Sequence, residues 1–263
     1  MPADELLALD RWIVRQALAL QETVIKAYET YQFHQIYQLI HRFCSVEMGA
    51  LYLDVIKDRQ YTGQKMGRPR RSAQTAMYLI VEAMARWLAP ILSFTADEIW
   101  GYIPGERGAS VHTEQWYVHF PKFSGKDELD DDFWSTALTV REAVSKELEG
   151  LRVAGLIGSS LEAEVDLYCE PALLQELARI GDELRFVFIT SYARVHPAEQ
   201  RPDDAPAAET PAGLWLAVTP SPHSKCVRCW HHREDVGQHA EHPELCGRCV
   251  VNVTGPGEPR DYA

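Results

Sequence analysis

The chain has 263 residues, of which 46% are hydrophobic and 24% charged, so it is long enough for roughly one to three domains with buried cores. Its formal net charge of −12 argues against indiscriminate binding to polyanions, although a local basic face remains compatible with nucleic acid. The sequence contains no apolar run of about eighteen residues, which excludes a membrane-spanning helix.

The N-terminal part of the chain has the hydrophobic spacing of a helical bundle. Apolar residues recur every three to four positions and predict antiparallel helices at 4–31, 33–58, 72–88 and 93–103. We expect Ser72 to cap the third helix and Pro90 to kink or end it. Thr95 and Glu98 have the spacing of a capping box for the fourth helix.

The C-terminal half changes to the period of strands after a loop and an aromatic stretch that we interpret as packing. Helices are predicted at 130–152 and 171–180, and strands at 161–167, 186–189 and 214–218. Residues 197–213 are rich in Pro, Ala and acids and are typical of a linker, and the residues from Gly255 onward resemble a loose tail. We therefore predict a mainly α chain with a helical bundle at 1–122, a small α+β module at 123–217 and a four-Cys zinc tail at 218–263.

Four cysteines near the end of the chain form two C-x2-C pairs separated by sixteen residues. They are Cys226, Cys229, Cys246 and Cys249. Each pair places two thiolates on one tight turn, and this spacing lies in the range of zinc sites. Four thiolates complete a tetrahedral shell, so the sequence predicts one structural Zn²⁺ ion and no catalytic metal.

Two alternatives apply to these cysteines. Disulfides are disfavoured because the N-terminus lacks a signal-peptide pattern and six Cys in the whole chain do not form a disulfide-dense scaffold. A Cys2His2 site could instead use Cys226 and Cys229 with His239 and His242, but it would leave the second cysteine pair without a purpose. We predict four-Cys ligation.

The charges are segregated along the chain. Residues 57–71 include six basic residues and one acidic residue, whereas Asp127–Asp132 contains five acidic residues and no basic one. A basic face on an acidic body permits a local, oriented contact with RNA. The chain has neither a G-x-x-x-x-G-K-S/T loop nor a G-x-G-x-x-G motif, and we find no catalytic constellation. The segregated charge and the lack of catalytic motifs indicate a chain that binds a partner and does not itself catalyse a reaction.

Several segments of the helical half carry recognisable motifs. They are Leu9-Asp10-Arg11-Trp12, Arg42-Phe43-Cys44-Ser45-Val46-Glu47-Met48-Gly49, Tyr52-Leu53-Asp54, Lys57-Asp58-Arg59-Gln60-Tyr61, Arg70-Arg71-Ser72-Ala73-Gln74-Thr75 and the segment from Trp87 to Glu98. These motifs resemble the helical anticodon-binding domain of isoleucyl-tRNA synthetases, and Ile157–Ala163 is similar to the start of the family's C-terminal module. The two cysteine pairs resemble the terminal zinc knuckle of the bacterial form, and the resemblance covers essentially the whole chain.

The resemblance implies the C-terminal portion of a cytoplasmic, monomeric ligase. The family joins isoleucine to tRNA(Ile) using ATP, but its H-I-G-H and K-M-S-K-S signatures are absent here, and Lys65-Met66-Gly67 is only a chance fragment. The editing domain is absent too. ATP would therefore bind only in the parent enzyme's catalytic domain. That domain and tRNA(Ile) are the expected partners, and this portion alone is expected to be inactive.

The knuckle and the basic run supply candidate tRNA contacts. We expect Trp230 to stack on an anticodon-loop base, with Arg228 and Arg248 reaching base or phosphate. The alternative is that Trp230 covers the zinc thiolates as a small local core.

Four basic side chains at two helix ends are expected to contact phosphates of the anticodon stem. They are Lys57, Arg59, Arg70 and Arg71. The alternative is that these residues only solvate the helix ends, where Lys also complements a C-terminal dipole. Two other functions remain open for the chain, namely a non-enzymatic zinc-finger module that binds proteins and a freestanding tRNA-binding paralogue.

Overall fold

The structure is a computed structural model that describes residues 1–123 and 128–263, so Asp127 of the acidic run lies outside the described residues. The chain forms two compact units. The first unit consists of Met1–Ile56 and Arg68–Gly125, and the second of Lys57–Gly67 and Lys126–Ala263. The division into three domains that the sequence indicates stays a prediction. Within the described part of the chain, no helix is both long and apolar enough to cross a bilayer.

The first unit is the predicted helical bundle. Its helices are α1 at Ala8–Glu29, α2 at Phe33–Arg42, α4 at Arg68–Leu88 and α5 at Ser93–Tyr102. A π-helical stretch at Phe43–Tyr52 connects α2 with α3, which spans Leu53–Thr62 and enters the second unit at Lys57. The sequence predicts a single helix from Phe33 to Asp58, whereas the structure divides this segment into α2, the π-helical stretch and α3. A Cβ at position 49 would lie 2.9 Å from the Cys44 carbonyl oxygen, so the widened turn requires Gly49.

The prediction that α4 starts at Ser72 is wrong. The helix begins at Arg68, with Pro69 in its first turn, and Ser72 lies buried one turn inside it. The Ser72 hydroxyl accepts a hydrogen bond from the Leu7 amide at 2.8 Å and donates one to Asp10. The Tyr52 hydroxyl also donates to Asp10, at 2.7 Å. Ser72 therefore joins α1 to α4 instead of capping a helix. Thr95 is likewise inside α5, which begins at Ser93.

The second unit contains α6 at Asp131–Val153, whose first turn is capped by Asp130 accepting from the Phe133 amide at 3.0 Å. A three-stranded sheet follows, made of β1 at Ala163–Cys169, β2 at Tyr192–Pro197 and β3 at Leu214–Pro220. The strand order is β2-β1-β3, with β1 parallel to β2 and antiparallel to β3. The crossover from β1 to β2 carries α7 at Pro171–Ala178 and α8 at Leu184–Phe188.

The strand predicted at 186–189 is wrong, because Phe186–Phe188 belong to α8 and the second strand lies at Tyr192–Pro197. All five residues of α8 are buried. Hydrophobic periodicity cannot separate a strand from a short helix when every position is buried. Ile189 ends the helix in the left-handed region, with φ 58°.

The last residues contain a short hairpin of β4 at Ser224–Lys225 and β5 at His232–Arg233, followed by α9 at Gly247–Thr254. The expectation of a loose tail after Gly255 is wrong. Ala263 is fully buried, and Glu183 accepts backbone hydrogen bonds of 2.8–3.0 Å from the last three residues. A buried side chain and satisfied backbone groups hold this segment in place.

Candidate metal centre

The four predicted cysteines converge at one point of the second unit. Cys226 and Cys229 lie on the turn between β4 and β5, Cys246 precedes the first residue of α9, and Cys249 lies in its first turn. Their sulfur atoms all lie within 4.8 Å of one another, and all four residues are buried. We refer to Cys226–Cys249 as the knuckle.

The separation of the sulfurs fits one tetrahedral zinc ion. Cys229 Sγ lies 3.7 Å from Cys246 Sγ. Tetrahedral Zn–S bonds of about 2.3 Å place two sulfurs roughly 3.8 Å apart. None of the cysteines forms a disulfide, whose sulfurs would be about 2 Å apart. The converging group in the described residues contains the four cysteines and neither His239 nor His242.

The electrostatics of the cluster also call for a cation. Hydrogen bonds from the other three thiols lower the pKa of Cys229, whereas hydrogen bonds with neighbouring thiols raise the pKa of Cys246 and of Cys249, so the four thiols do not all ionise without a cation. The Cys246 amide donates to Cys226 Sγ at 3.4 Å, and Arg228 Nη1 lies 3.9 Å from Cys249 Sγ. These donors cannot balance four thiolates at such short separations, whereas a divalent ion with four sulfur ligands can. The residues therefore fit a structural zinc ion, with no position left open for a substrate.

A small surrounding shell fixes the second cysteine pair. Asp235 Oδ2 accepts a hydrogen bond from the Gly247 amide at 2.7 Å. A Cβ at position 247 would lie 2.8 Å from that same oxygen, so Gly247 is the residue that this close approach allows. Val236 and Leu245 pack against the cysteines. Oriented ligands and a thin apolar cover are the outer shell expected of a structural site.

A largely buried ionic cluster includes Arg248, the second residue of α9. Arg248 binds Asp58 through two hydrogen bonds of 2.6 and 2.7 Å, and Arg260 Nη1 binds Asp58 Oδ2 at 2.8 Å. Glu258 Oε1 lies 3.1 Å from Arg248 Nη1. The Arg260 guanidinium also stacks 3.4 Å above the centroid of the Phe186 ring. We call Asp58, Arg248, Glu258 and Arg260 the Asp58 cluster.

The charges of this cluster stabilise one another. Burial acts to raise the pKa of Asp58, but Arg248 and Arg260 outweigh it and hold that pKa well below its usual range. Burial lowers the pKa of Arg260 to about 10, which leaves its guanidinium charged at neutral pH. The cluster therefore joins three segments of the second unit: the end of α3, the helix α9 and the tail.

Comparison with known families explains why these features occur together. A model described as the anticodon-binding domain of tRNA ligase matches residues 10–167, more than half of the chain. The chain belongs to this family of anticodon-binding domains. A second model, for the zinc finger found in FPG and IleRS, matches residues 224–251 and includes all four cysteines.

Curated relatives match this anticodon-binding chain from end to end. An isoleucine–tRNA ligase from Nitrosococcus oceani is 60% identical over 263 residues, covering 100% of this chain and 28% of the relative. The ligase from Thioalkalivibrio sulfidiphilus is 61% identical and that from Methylococcus capsulatus is 58% identical, each covering 98% of this chain and 28% of the relative. The chain thus spans 28% of the length of these three relatives.

Trp230 of this anticodon-binding chain does not cover the metal site. Its side chain is 61% exposed, and its backbone lies in the left-handed region with φ 66°. Val236 and Leu245 provide the apolar cover that the alternative interpretation assigned to Trp230. Lys225 Nζ lies 5.6 Å from the centroid of the exposed ring. The ring is therefore presented to solvent from a turn that the cysteines hold.

The two predicted arginines of the knuckle differ in their surroundings. Arg228 is partly buried and donates a hydrogen bond to the Thr62 carbonyl oxygen at the end of α3. The Arg248 side chain is 12% exposed, and its guanidinium is bound by Asp58 and Glu258. Asp58 and Glu258 thus take up hydrogen-bond donors of Arg248 that a contact with tRNA would require.

The basic run is divided between the two units. Lys57 is exposed on α3 in the second unit, whereas the neighbouring Arg59 is fully buried. Arg70 and Arg71 lie in the first turn of α4 in the first unit, where Arg71 is exposed and Arg70 is partly buried. Burial removes Arg59 from the set of residues that can reach RNA. The lone acid of the run, Asp58, pairs with Arg248 and Arg260, which both lie outside the run.

Proposed function

We propose that this chain recognises the anticodon region of tRNA(Ile) as the C-terminal part of a monomeric, cytoplasmic isoleucine–tRNA ligase. The observation that carries this proposal is the joining, in one chain, of an anticodon-binding helical unit and a four-Cys knuckle. Relatives named isoleucine–tRNA ligase support it over the whole length of the chain. ATP and isoleucine would bind in the catalytic domain of the parent enzyme, which is the other expected partner.

The chemistry of the knuckle suits an unstacked RNA base. Proteins read RNA loops by stacking aromatic rings on splayed bases and by contacting the neighbouring phosphates. Trp230 offers an exposed ring on a turn that zinc would hold, and Lys225 and Arg228 lie close to it in sequence. We assign the stacking role to Trp230 and the supporting base or phosphate contact to Arg228.

Filter binding of the full chain with tRNA(Ile) and with an unrelated tRNA tests the proposal directly. Preferential binding of tRNA(Ile) is the expected result. Equal binding of the two tRNAs would overturn the proposed specificity. No binding of either would favour a zinc-finger module that binds proteins.

Trp230→Ala is expected to weaken tRNA(Ile) binding by about 1–3 kcal/mol, because it removes one base-stacking surface. Trp230→Phe retains a ring and should recover most of the affinity. Zinc content and thermal unfolding should match those of the wild type, because the exposed ring contributes little to the core. Unchanged tRNA affinity in a zinc-loaded Trp230→Ala variant would exclude this role.

Lys57 and Arg71 are proposed to contact phosphates, with partly buried Arg70 in a supporting role. Arg70 and Arg71 lie where the helix dipole disfavours positive charge, so capping does not explain their presence. Lys57→Gln and Arg71→Gln should each reduce the slope of log affinity against log salt by up to about 0.9 for each lost phosphate contact. Lys146→Gln, on the exposed face of α6, is the control and should leave the slope unchanged. Identical slopes in all variants would disprove these contacts.

A further inference from the structure

Tyr61 is an exposed aromatic residue on the last turn of α3. Its side chain is 80% exposed, and it follows Lys57 by four residues. Residues four apart lie on the same face of a helix, so the Tyr61 ring and the Lys57 ammonium occupy one side of α3. A large ring held out in water beside a cation has little value for folding, but it provides a surface on which a base can stack.

The turn that carries Tyr61 is attached to the knuckle within the second unit. Arg228 donates a hydrogen bond to the carbonyl oxygen of Thr62, the residue that follows Tyr61. Gln64 Nε2 donates to the Gly255 carbonyl oxygen at 3.1 Å, just beyond α9. The Asp58 cluster holds the preceding turn of α3 against α9. Tyr61 and Trp230 are therefore both carried by segments that are hydrogen-bonded to each other.

The charges of these two segments suit RNA. Lys57–Gly67 contains three basic residues, of which Arg59 is buried, and one acid, Asp58, whose carboxylate is paired with Arg248 and Arg260. No acid occurs from Thr210 to Arg233, the stretch that carries Trp230. The chain as a whole has a net charge of −12, so these segments are local exceptions to an acidic body. Their chemistry favours a polyanion with flat rings over an acidic or aliphatic protein surface.

We infer that Tyr61 is a second base-stacking residue, which works with Trp230 to hold unstacked bases of the same RNA. One ring comes from the end of α3 and the other from the zinc-held turn. The Arg228–Thr62 hydrogen bond and the Asp58 cluster fix the spacing between them. This inference rests on the proposed function, since it names an additional residue in the same recognition surface.

The test compares Tyr61→Ala and Tyr61→Phe in the full, zinc-loaded chain by filter binding with tRNA(Ile). Tyr61→Ala should weaken binding by about 5- to 150-fold, the range that corresponds to one lost stacked base. Tyr61→Phe retains the ring and should bind within about twofold of the wild type on the same stacking argument. Tyr102→Ala is the matched control, because Tyr102 is an 81% exposed tyrosine on α5 of the first unit.

The outcomes separate this inference from the proposed function. If the wild type fails to prefer tRNA(Ile), the proposed function fails first. If the wild type does prefer it and Tyr61→Ala binds equally well, only the role of Tyr61 is excluded. An equal loss in Tyr102→Ala, or an equal loss in Tyr61→Phe, would also overturn it. Zinc content and thermal unfolding of Tyr61→Ala should equal those of the wild type, because an exposed ring adds little packing.

Discussion

Removal of the metal by a chelator is expected to unfold the knuckle and α9 while the helices of the first unit persist. The knuckle has a core of four cysteines covered by Val236 and Leu245, which is too small to be stable without the ion. Zinc contributes about 10–16 kcal/mol of apparent binding free energy in zinc-finger peptides, and that free energy is also folding free energy. Cys246→Ser should have the same effect because it removes one ligand.

Far-UV circular dichroism and zinc analysis measure the two parts of this expectation. The helical signal should fall only by the share of α9, and bound zinc should be lost in proportion to the chelator added. Cys44→Ser is the control, since Cys44 is half-buried in the first unit and lies outside the cysteine cluster. Collapse of the whole helical signal on chelation would show that the knuckle is not separable from the bundle.

Loss of zinc should also loosen the end of α3. The knuckle holds that turn through the Arg228 hydrogen bond to Thr62 and through the pairing of Arg248 with Asp58. Hydrogen exchange measured by segment should therefore show faster exchange in Lys57–Gly67 after chelation, with α1 unchanged. Equal protection of Lys57–Gly67 before and after chelation would mean that zinc does not stabilise this contact.

The metal site could be predicted from the sequence because its determinants are local. Each C-x2-C pair fixes its two thiolates within one turn, and the spacing between the pairs is compatible with one ion. The helical bundle was predictable for a related reason, since its apolar stripes repeat every three to four residues over long segments. Both the cysteine spacing and the helical periodicity can be identified in the sequence without knowledge of tertiary contacts.

The Asp58 cluster could not be predicted in this way. Asp58 and Arg248 are 190 positions apart, and no periodicity connects them. In the sequence, Arg248 lies between two ligand cysteines, which favours a surface position for its charge. Ser72 shows the same limitation on a smaller scale. A hydroxyl at the start of a helix has the features of a cap, but a buried partner 62 positions away gave it another role.

The strand predicted at 186–189 failed for a different physical reason. Phe186, Val187 and Phe188 are all buried, because α8 packs in the crossover between β1 and β2. A run that is buried on every side has no period from which its conformation can be deduced. Arg185, which is 5% exposed and binds Asp182 at 2.8 Å, was the clue that the segment is not an ordinary core strand.

Asp58→Asn is expected to destabilise the second unit by about 3–5 kcal/mol, the usual cost of removing one partner from a buried ion pair. The substitution would remove the carboxylate that both Arg248 and Arg260 bind, while Glu258 remains as an acidic contact of both guanidinium groups. Urea unfolding of the zinc-loaded chain, followed separately for the two units by hydrogen exchange, would measure the loss. Glu149→Gln is the control, because Glu149 makes two similar hydrogen bonds to Arg152 on the solvent-exposed surface and should contribute little.

The pH dependence of this effect has a definite sign. The pKa of Asp58 is lower in the folded chain than in the unfolded chain, so its stabilising contribution is complete above the ordinary carboxyl pKa of about 4. As the pH falls below that value, the unfolded state takes up the proton first and the contribution is lost. The free energy of unfolding of the wild type should therefore approach that of Asp58→Asn on acidification. Zinc content is measured at each pH, because release of the ion by protonation of the thiolates would itself loosen the contact between Arg248 and Asp58. A difference between the two proteins that stays constant through this range would show that Asp58 acts through its shape and not through its charge.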